Sequence, residues 1–258
     1  MATYKKRGYK PKHQVDDVTE VEIDDSDSTT KEVFETLDQS ASKTEEWVAA
    51  NQNYILMFIG AIAVVVLGYL AYNQFVTKPK EAEAANEMFY PQQYFDQALN
   101  AAGAQRDSLF TMALNGGEGK YGFLNIIEEY SGTKAANLAS YSAGMSYLQM
   151  QKYQEAIDYL EDFSSDEAVL GALAKGGIGD AFNQLGQAGD ALDYYEKALA
   201  FEANDFTTPR FLNKAGIAAM DLGQNDKALG YFQRIKNEYP NTNEGRSVDA
   251  FIGMVENK

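Results

Sequence analysis

Chemistry at neutral pH needs a nucleophile, a proton shuttle or a metal site, and this chain is poorly stocked with all three. It has no cysteine, which excludes disulfides, thiolate nucleophiles and zinc-thiolate centres. Its one histidine is His13, near the amino terminus, so a Ser-His-Asp or Cys-His triad is not available to the rest of the chain. The carboxylate pairs Glu128-Glu129 and Glu161-Asp162 are adjacent in sequence. On a helix, neighbours diverge by about 100° and do not converge on one substrate atom. Asp24-Asp25-Ser26-Asp27 lacks calcium-loop spacing. The run Asn115-Gly116-Gly117-Glu118-Gly119-Lys120 suggests a phosphate loop, but it lacks the leading glycine, and Tyr121 stands where Ser or Thr is needed. It reads as a flexible loop. Gly176-Gly177-Ile178-Gly179 is no dinucleotide fingerprint either, since it falls inside a helical pattern where small residues serve packing. These residues give no catalytic constellation, and neither an enzyme nor a bound cofactor or metal is expected.

What the chain offers instead is periodicity. Gly144-Met-Ser-Tyr147, Gly179-Asp-Ala-Phe182 and Gly216-Ile-Ala-Ala219 align with glycines 35 and 37 residues apart. Ala156, Ala191 and Ala228 follow at the same spacings, each 12 residues after its glycine. A large residue comes four positions later in every unit: Leu160, Tyr195, Phe232. This resembles the tetratricopeptide repeat, in which two antiparallel helices meet at small residues and a large side chain plugs the gap to the next unit. FLNIIEEYSGT at 123–133 is echoed by FQRIKNEYPNT at 232–242, an offset of 109. The echo places the second helix of an earlier, degenerate repeat at Gly119–Tyr130. It leaves Thr242–Asn257 as a lone first helix that caps the array, with Asn241 or Thr242 as its N-cap. The fold class expected is all-α: a single transmembrane helix followed by a tetratricopeptide-repeat solenoid.

In such solenoids the first helices line the concave side. The positions expected there are Tyr141, Met145, Leu148 and Gln149, then Asp180, Asn183 and Gln184, then Arg210, Asn213, Ile217 and Met220. Tyrosine and methionine suit adaptable protein contact, although each of these residues could serve only to pack the array. Tetratricopeptide domains that hold a terminal carboxylate use a basic and amide clamp. The matching positions here are Tyr141/Met145, Gly176/Asp180 and Asn213/Ile217, which disfavours such a ligand.

The elements ahead of the repeats set where this surface would work. Tyr54–Tyr72 carries no charge and no proline, and as a helix spans about 28 Å, close to the hydrocarbon thickness of a bilayer. It is too long and too late for a cleaved signal peptide and reads as an uncleaved signal anchor over 42–78, with Trp47, Tyr54, Tyr69 and Tyr72 near its ends. Ser42 with Glu45 fits a capping box, so the helix is expected to start near Lys43. Pro79 is expected to end it or to open the next helix. Residues 79–118 read as a connecting helical segment kinked at Pro91. Its stripe of Phe89, Tyr90, Tyr94 and Phe95 either packs on the first repeat or forms a docking face beside the membrane. Residues 1–41 read as a disordered tail, basic at Lys5, Lys6, Arg7, Lys10 and Lys12 and acidic thereafter, with a short interfacial helix at Glu32–Leu37. The basic patch could meet anionic lipid or ribosomal RNA. Of the net charge of −16, residues 1–53 (7 basic, 12 acidic) hold −5 and residues 73–258 (15 basic, 26 acidic) hold −11. So acidic a repeat domain will not grip nucleic acid. Charges flanking the span, Lys43 against Lys78 and Lys80, leave its orientation open.

The order of polar tail, single span, AANEMFYPQQYFDQAL, GFLNIIEEYSGTKAANLASYSAG and Gly-Asp-Ala repeats is similar to the YfgM-type ancillary subunits of the bacterial Sec translocon, in a Bacteroidota-like form. The resemblance covers nearly the whole chain. It implies a bacterial inner-membrane protein with a cytoplasmic amino terminus and a periplasmic repeat domain. The implied partners are SecYEG and a PpiD-type membrane-anchored chaperone, and the implied task is assistance to newly translocated chains, which the groove could hold directly. The alternative is a scaffold for another envelope assembly, such as outer-membrane biogenesis or cell-wall machinery, without Sec contact.

Overall fold

A computed structural model describes residues 29–257, with side chains described at 36–37 and from 44 onward. The basic and acidic stretches of the tail, and the side chains of Val33 and Phe34, lie outside the described residues. The chain divides into two compact units, Met1–Leu67 and Gly68–Lys258. Among the described residues every regular element is helical.

Helix α1 is Thr29–Tyr72. The expected start near Lys43 is corrected: Ser42 lies inside the helix, because no glycine or proline interrupts the residues upstream and a local capping signal cannot end a helix that its neighbours continue. The Glu32–Leu37 stretch is likewise part of α1 and not a separate short helix. From Tyr54 to Tyr72 every side chain is exposed except half-buried Ile55. The helix is long and apolar enough to cross a membrane, and none of its most apolar window is buried.

Pro79 acts on the backbone before it. A π-turn at Asn73–Thr77 carries the Lys78 N–H to the Asn73 carbonyl, and α2 (Lys78–Glu87) then begins with proline in its first turn. Proline can neither donate to the carbonyl four residues back nor tolerate it at α-helical distance, and the wider turn relieves both problems. Pro91 does the same to a lesser degree: without its N–H the helix breaks at Met88, and α3 runs Phe89–Asn100.

Helix α2 is part of the array. Its Ala84 and the Met88 that caps it are buried, and the Glu81 carboxylate accepts the Lys134 and Ala135 N–H groups at 2.9 and 3.2 Å. These are orphan donors at the start of α6 (Lys134–Gln149), and a carboxylate there is favoured by both hydrogen bonding and the helix dipole. Helix α4 is Gly103–Asn115 and α5 is Phe123–Glu129. The degenerate second helix therefore begins at Phe123, not Gly119. The run expected as a flexible loop closes as a tight turn: Gly117 and Lys120 bridge, and a Cβ on Gly116 would stand 2.1 Å from the Lys120 carbonyl oxygen.

Three helix pairs follow: α6 with α7 (Tyr153–Asp162), α8 (Ala168–Gln184) with α9 (Ala188–Leu199), and α10 (Thr208–Asp221) with α11 (Asn225–Glu238). The glycine–large pairing is the contact that joins each pair. A Cβ on Gly144, Gly179 or Gly216 would lie 2.6, 2.6 or 2.5 Å from Leu160, Tyr195 or Phe232 respectively. Each large residue also reaches the next element: Leu160 lies against Gly177, Tyr195 stacks on Phe211 at 6.4 Å, and Phe232 stacks on Phe251 at 5.2 Å. Burial of each is worth about 1.5–3 kcal/mol. The Gly176-Gly177-Ile178-Gly179 run serves packing as expected, since a Cβ on Gly176 would stand 1.9 Å from the Phe211 ring.

The threonine echo is a repeated junction. Thr133 caps α6 and Thr242 caps α12 (Asn243–Glu256), each accepting the N–H three residues on at 3.1 Å and donating its hydroxyl to the carbonyl of a buried tyrosine, Tyr130 or Tyr239. Second helices are also tied to one another by tyrosine–carboxylate bonds. Tyr194 donates to Glu161 at 2.5 Å, and Tyr231 donates to Glu196, which Lys227 also meets at 2.7 Å.

Two outcomes follow from these contacts. Gly216→Val should lower stability by about 1–3 kcal/mol through overpacking against Phe232, whereas Gly230→Ala, with open space around it, should gain about 0.5–1 kcal/mol of helix propensity. Urea midpoints of the two variants should move in opposite directions. The tyrosine bonds make stability pH-dependent on the alkaline side. Burial first, then Glu161, pushes Tyr194 up to about 12, and burial followed by Glu196 raises Tyr231 likewise. Unfolded tyrosines ionise near pH 10 while these keep their protons, so unfolding releases protons and rising pH favours it. Stability should be flat up to about pH 9 and fall from about pH 10 upward, with a shallower fall in Tyr231→Phe. A pH-independent urea midpoint across that range would refute the assignment.

Candidate functional site

The first helices of the repeats, with α4 beside them, enclose a concavity of about 500 Å³. Its lining shows how far the expected groove is realised. Leu148, Gln149, Asp180, Asn183, Gln184 and Ile217 line it as expected. Tyr141, Met145, Arg210, Asn213 and Met220 do not. Tyr141 packs on Phe163 with ring centroids 5.2 Å apart; burial raises its phenol pKa, and the Arg210 charge works against that rise. Met145 turns toward Gly177, with its sulfur 3.4 Å from where a Cβ would stand. Met220 joins the C-terminal core, Asn213 is half-buried, and Arg210 is exposed.

Five residues complete the lining: Arg106, Gln151, Tyr153, Tyr195 and Lys214. Lys214 follows Asn213 directly and, with Ile217 about one turn on, supplies the α10 side of the lining. Gln151 occupies the turn between α6 and α7 at φ +60°, the place that Gly186 and Gly223 take at +77° and +71° in the next two units. The reading by glycine alignment could have found that turn, because the three residues stand at the same 35- and 37-residue spacings. Arg106 comes from α4, outside the repeats, and no periodicity points to it.

Lys214 and Asp180 form a closed pair in the wall of the site, whereas Arg106 keeps a buried Nε without a hydrogen-bond partner among the described residues. Lys214 Nζ lies 2.5 and 2.6 Å from the two Asp180 oxygens, a bond between successive units. The Tyr195 hydroxyl donates to Asp180 Oδ1 at 2.9 Å, and burial, then the Asp180 charge, raises its pKa. Arg106 Nη2 donates to the Gln149 carbonyl at 3.0 Å, and its Nε stands 3.8 Å from Asp107. The Tyr153 hydroxyl reaches Gln184 at 3.4 Å. The side-chain amides of Gln149, Gln151 and Asn183 have no hydrogen-bond partner among the described residues.

The aromatic stripe ahead of the repeats divides. Phe95 packs edge-on against Phe110 and Phe123 at 5.7 and 6.2 Å, and Tyr94 is half-buried against the same core. Phe89 is 62 % exposed, with Tyr90 edge-on to it at 5.3 Å and Lys120 over the Tyr90 ring at 4.9 Å. Phe89 forms part of the lining of a second, shallow groove along α3 and α4.

Comparison with known proteins gives the repeats a family description. Two models described as tetratricopeptide repeat match, one over residues 138–166 and 214–242 and the other over 174–205. Each matched segment covers most of one helix pair, missing the first turn or so of its first helix. No curated protein matches the chain. A similar solved structure is a crystal structure of nearly identical TPR-like repeats of a Podosopora anserina kinesin light chain. It shares 12 % identity over 69 % of this chain and 86 % of that one, with a TM-score of 0.49, and bears on neither ligand nor partner here. Helix pairs, glycine seats and family matches agree: the chain carries three tetratricopeptide repeats in an all-α array, the architecture of a protein-binding scaffold.

Proposed function

We propose that this protein is a membrane-anchored scaffold that binds protein partners through its repeat array. The observation that carries the reading is the apolar helix over Tyr54–Tyr72, whose side chains are exposed on nearly every face. In water so large an apolar surface has no counterpart, whereas hydrocarbon satisfies it fully. An anchor raises the effective concentration of the repeats for anything at the same membrane. The resemblance to YfgM-type subunits supplies the finer reading. In it the repeat domain faces the periplasm of a bacterial inner membrane, meets SecYEG and a PpiD-type chaperone, and assists chains as they emerge. The acidic domain fits such a place, since it is soluble and avoids anionic lipid. The exposed Phe89–Tyr90 pair is the surface proposed for docking beside the membrane.

The protein should sediment with membranes and resist carbonate extraction, and deletion of residues 54–72 should move it to the soluble fraction. Mild-detergent purification of the tagged full chain, read by mass spectrometry, should recover SecYEG and a periplasmic chaperone in near-stoichiometric yield. Envelope-assembly proteins in their place would overturn the Sec reading. Protease that reaches the repeats only after the inner membrane is opened would overturn the periplasmic one.

A further inference from the structure

The repeats meet the helix that continues the span at one corner. Lys80, in the first turn of α2, donates to the Ser131 carbonyl at 3.2 Å, and Glu81 caps α6 at Lys134 and Ala135. Lys80 lies eight residues past Tyr72, about 12 Å along a helix. Phe75 and Val76, between them, are 78 % and 46 % exposed, so apolar surface continues past Tyr72 and the headgroup layer falls around Lys78 and Lys80. The α5–α6 junction is thereby set at the surface of the bilayer that α1 crosses.

A hollow of about 490 Å³ opens at this junction, with Ser131, Lys134, Asn137, Asp162 and Ser164 in its lining. Asn137 exchanges two bonds with the Ser164 main chain, at 2.8 and 3.0 Å, so the wall is preformed. Both charges in the lining are misplaced for stability. Lys134 is the first residue of α6, where the helix dipole disfavours a cation, and Asp162 is the last residue of α7, where it disfavours an anion. Both side chains are exposed, and neither forms an ion pair among the described residues. Neither packing nor pairing accounts for them.

A ligand that satisfies both at once carries an anion and a cation a few bonds apart. A phosphoethanolamine headgroup does so. Its phosphate oxygens accept from Lys134 Nζ and from the Ser131 and Ser164 hydroxyls, and its ammonium donates to the Asp162 carboxylate. A choline headgroup has no N–H to give. An anionic headgroup leaves Asp162 unanswered, with Glu128 and Glu129 exposed just before Ser131.

We propose that this hollow binds the headgroup of a zwitterionic, primary-amine phospholipid, phosphatidylethanolamine, between Lys134 and Asp162. The proposal rests on the reading of Tyr54–Tyr72 as a membrane span. A lipid held there seats the first repeat on the bilayer surface.

The test uses the full chain, reconstituted in nanodiscs of phosphatidylcholine with or without added phosphatidylethanolamine or phosphatidylglycerol. Native mass spectrometry reads the lipid that the chain retains when it is released into detergent. Phosphatidylethanolamine should be retained about 10-fold better than either of the others, the worth of one charge-assisted hydrogen bond. In the nanodiscs it should also slow main-chain hydrogen exchange at 131–134. Asp162→Asn should abolish the preference over phosphatidylcholine, and Lys134→Gln should weaken retention of both. Each variant should keep or raise the thermal midpoint, since each removes a charge from the wrong end of a helix. Equal retention of the three lipids, or an unchanged preference in Asp162→Asn, would overturn the proposal. Stronger retention of phosphatidylglycerol would overturn it in favour of a plain basic contact. Capture of soluble glycerophosphoethanolamine in preference to the lipid would overturn the membrane assignment of the hollow. Absence of any preference in a chain that still enters nanodiscs would leave the anchor reading standing, whereas failure to enter them would remove both.

Discussion

Everything in the repeat array depends on one constraint: a glycine on the first helix of each pair must leave room for a large side chain from the second. Leu160, Tyr195 and Phe232 occupy space that a Cβ on Gly144, Gly179 or Gly216 would claim. Because that side chain also touches the next element, one contact sets both the packing within a unit and the stacking between units. The consequence is a string of nearest-neighbour interfaces, and the concave face is what remains between first helices that are fixed in this way. The polar bonds add direction to the stacking. Tyrosine–carboxylate pairs link successive second helices, and the Asp180–Lys214 pair links successive first helices.

The same logic governs how the chain enters the array. A first repeat needs something to cover its open face and to satisfy its first N–H groups. Helix α2 does both, with Ala84 and Met88 buried and Glu81 capping α6. Thr133 supplies the remaining cap from within the repeat, as Thr242 does for the closing helix. The π-turn ahead of α2 is then the local accommodation of Pro79, placed just before a helix that packing holds in register.

The repeats were legible because their signal is contact chemistry. Glycine, alanine and a large residue at fixed offsets describe one interface three times. The threonine echo was legible for the same reason. Elements outside the periodicity were harder. Ser42 and Glu45 carry a sound local capping signal, yet α1 continues through them because the residues before them also favour helix. Five of the expected groove residues are absent from the lining. A position on a first helix can face the concavity or the neighbouring helix, as Leu148 and Met145 do on α6. Arg106 could not be read at all, since its role comes from where α4 docks and not from its own spacing.

The pairing of Asp180 with Lys214 reads differently once its place is considered. On an exposed surface such a pair contributes little, and its two side chains here are each 27 % exposed. Its larger effect is on what the concavity can recognise. An unpaired lysine at that position would make the site select acidic ligands, and an unpaired aspartate would select basic ones. Held together, with the Tyr195 hydroxyl on the same carboxylate, they cancel and stiffen the wall that Asn183 and Gln184 extend. The wall between successive first helices is thus closed by a satisfied pair, and the charge left open in the concavity is that of Arg106, whose buried Nε has no hydrogen-bond partner among the described residues.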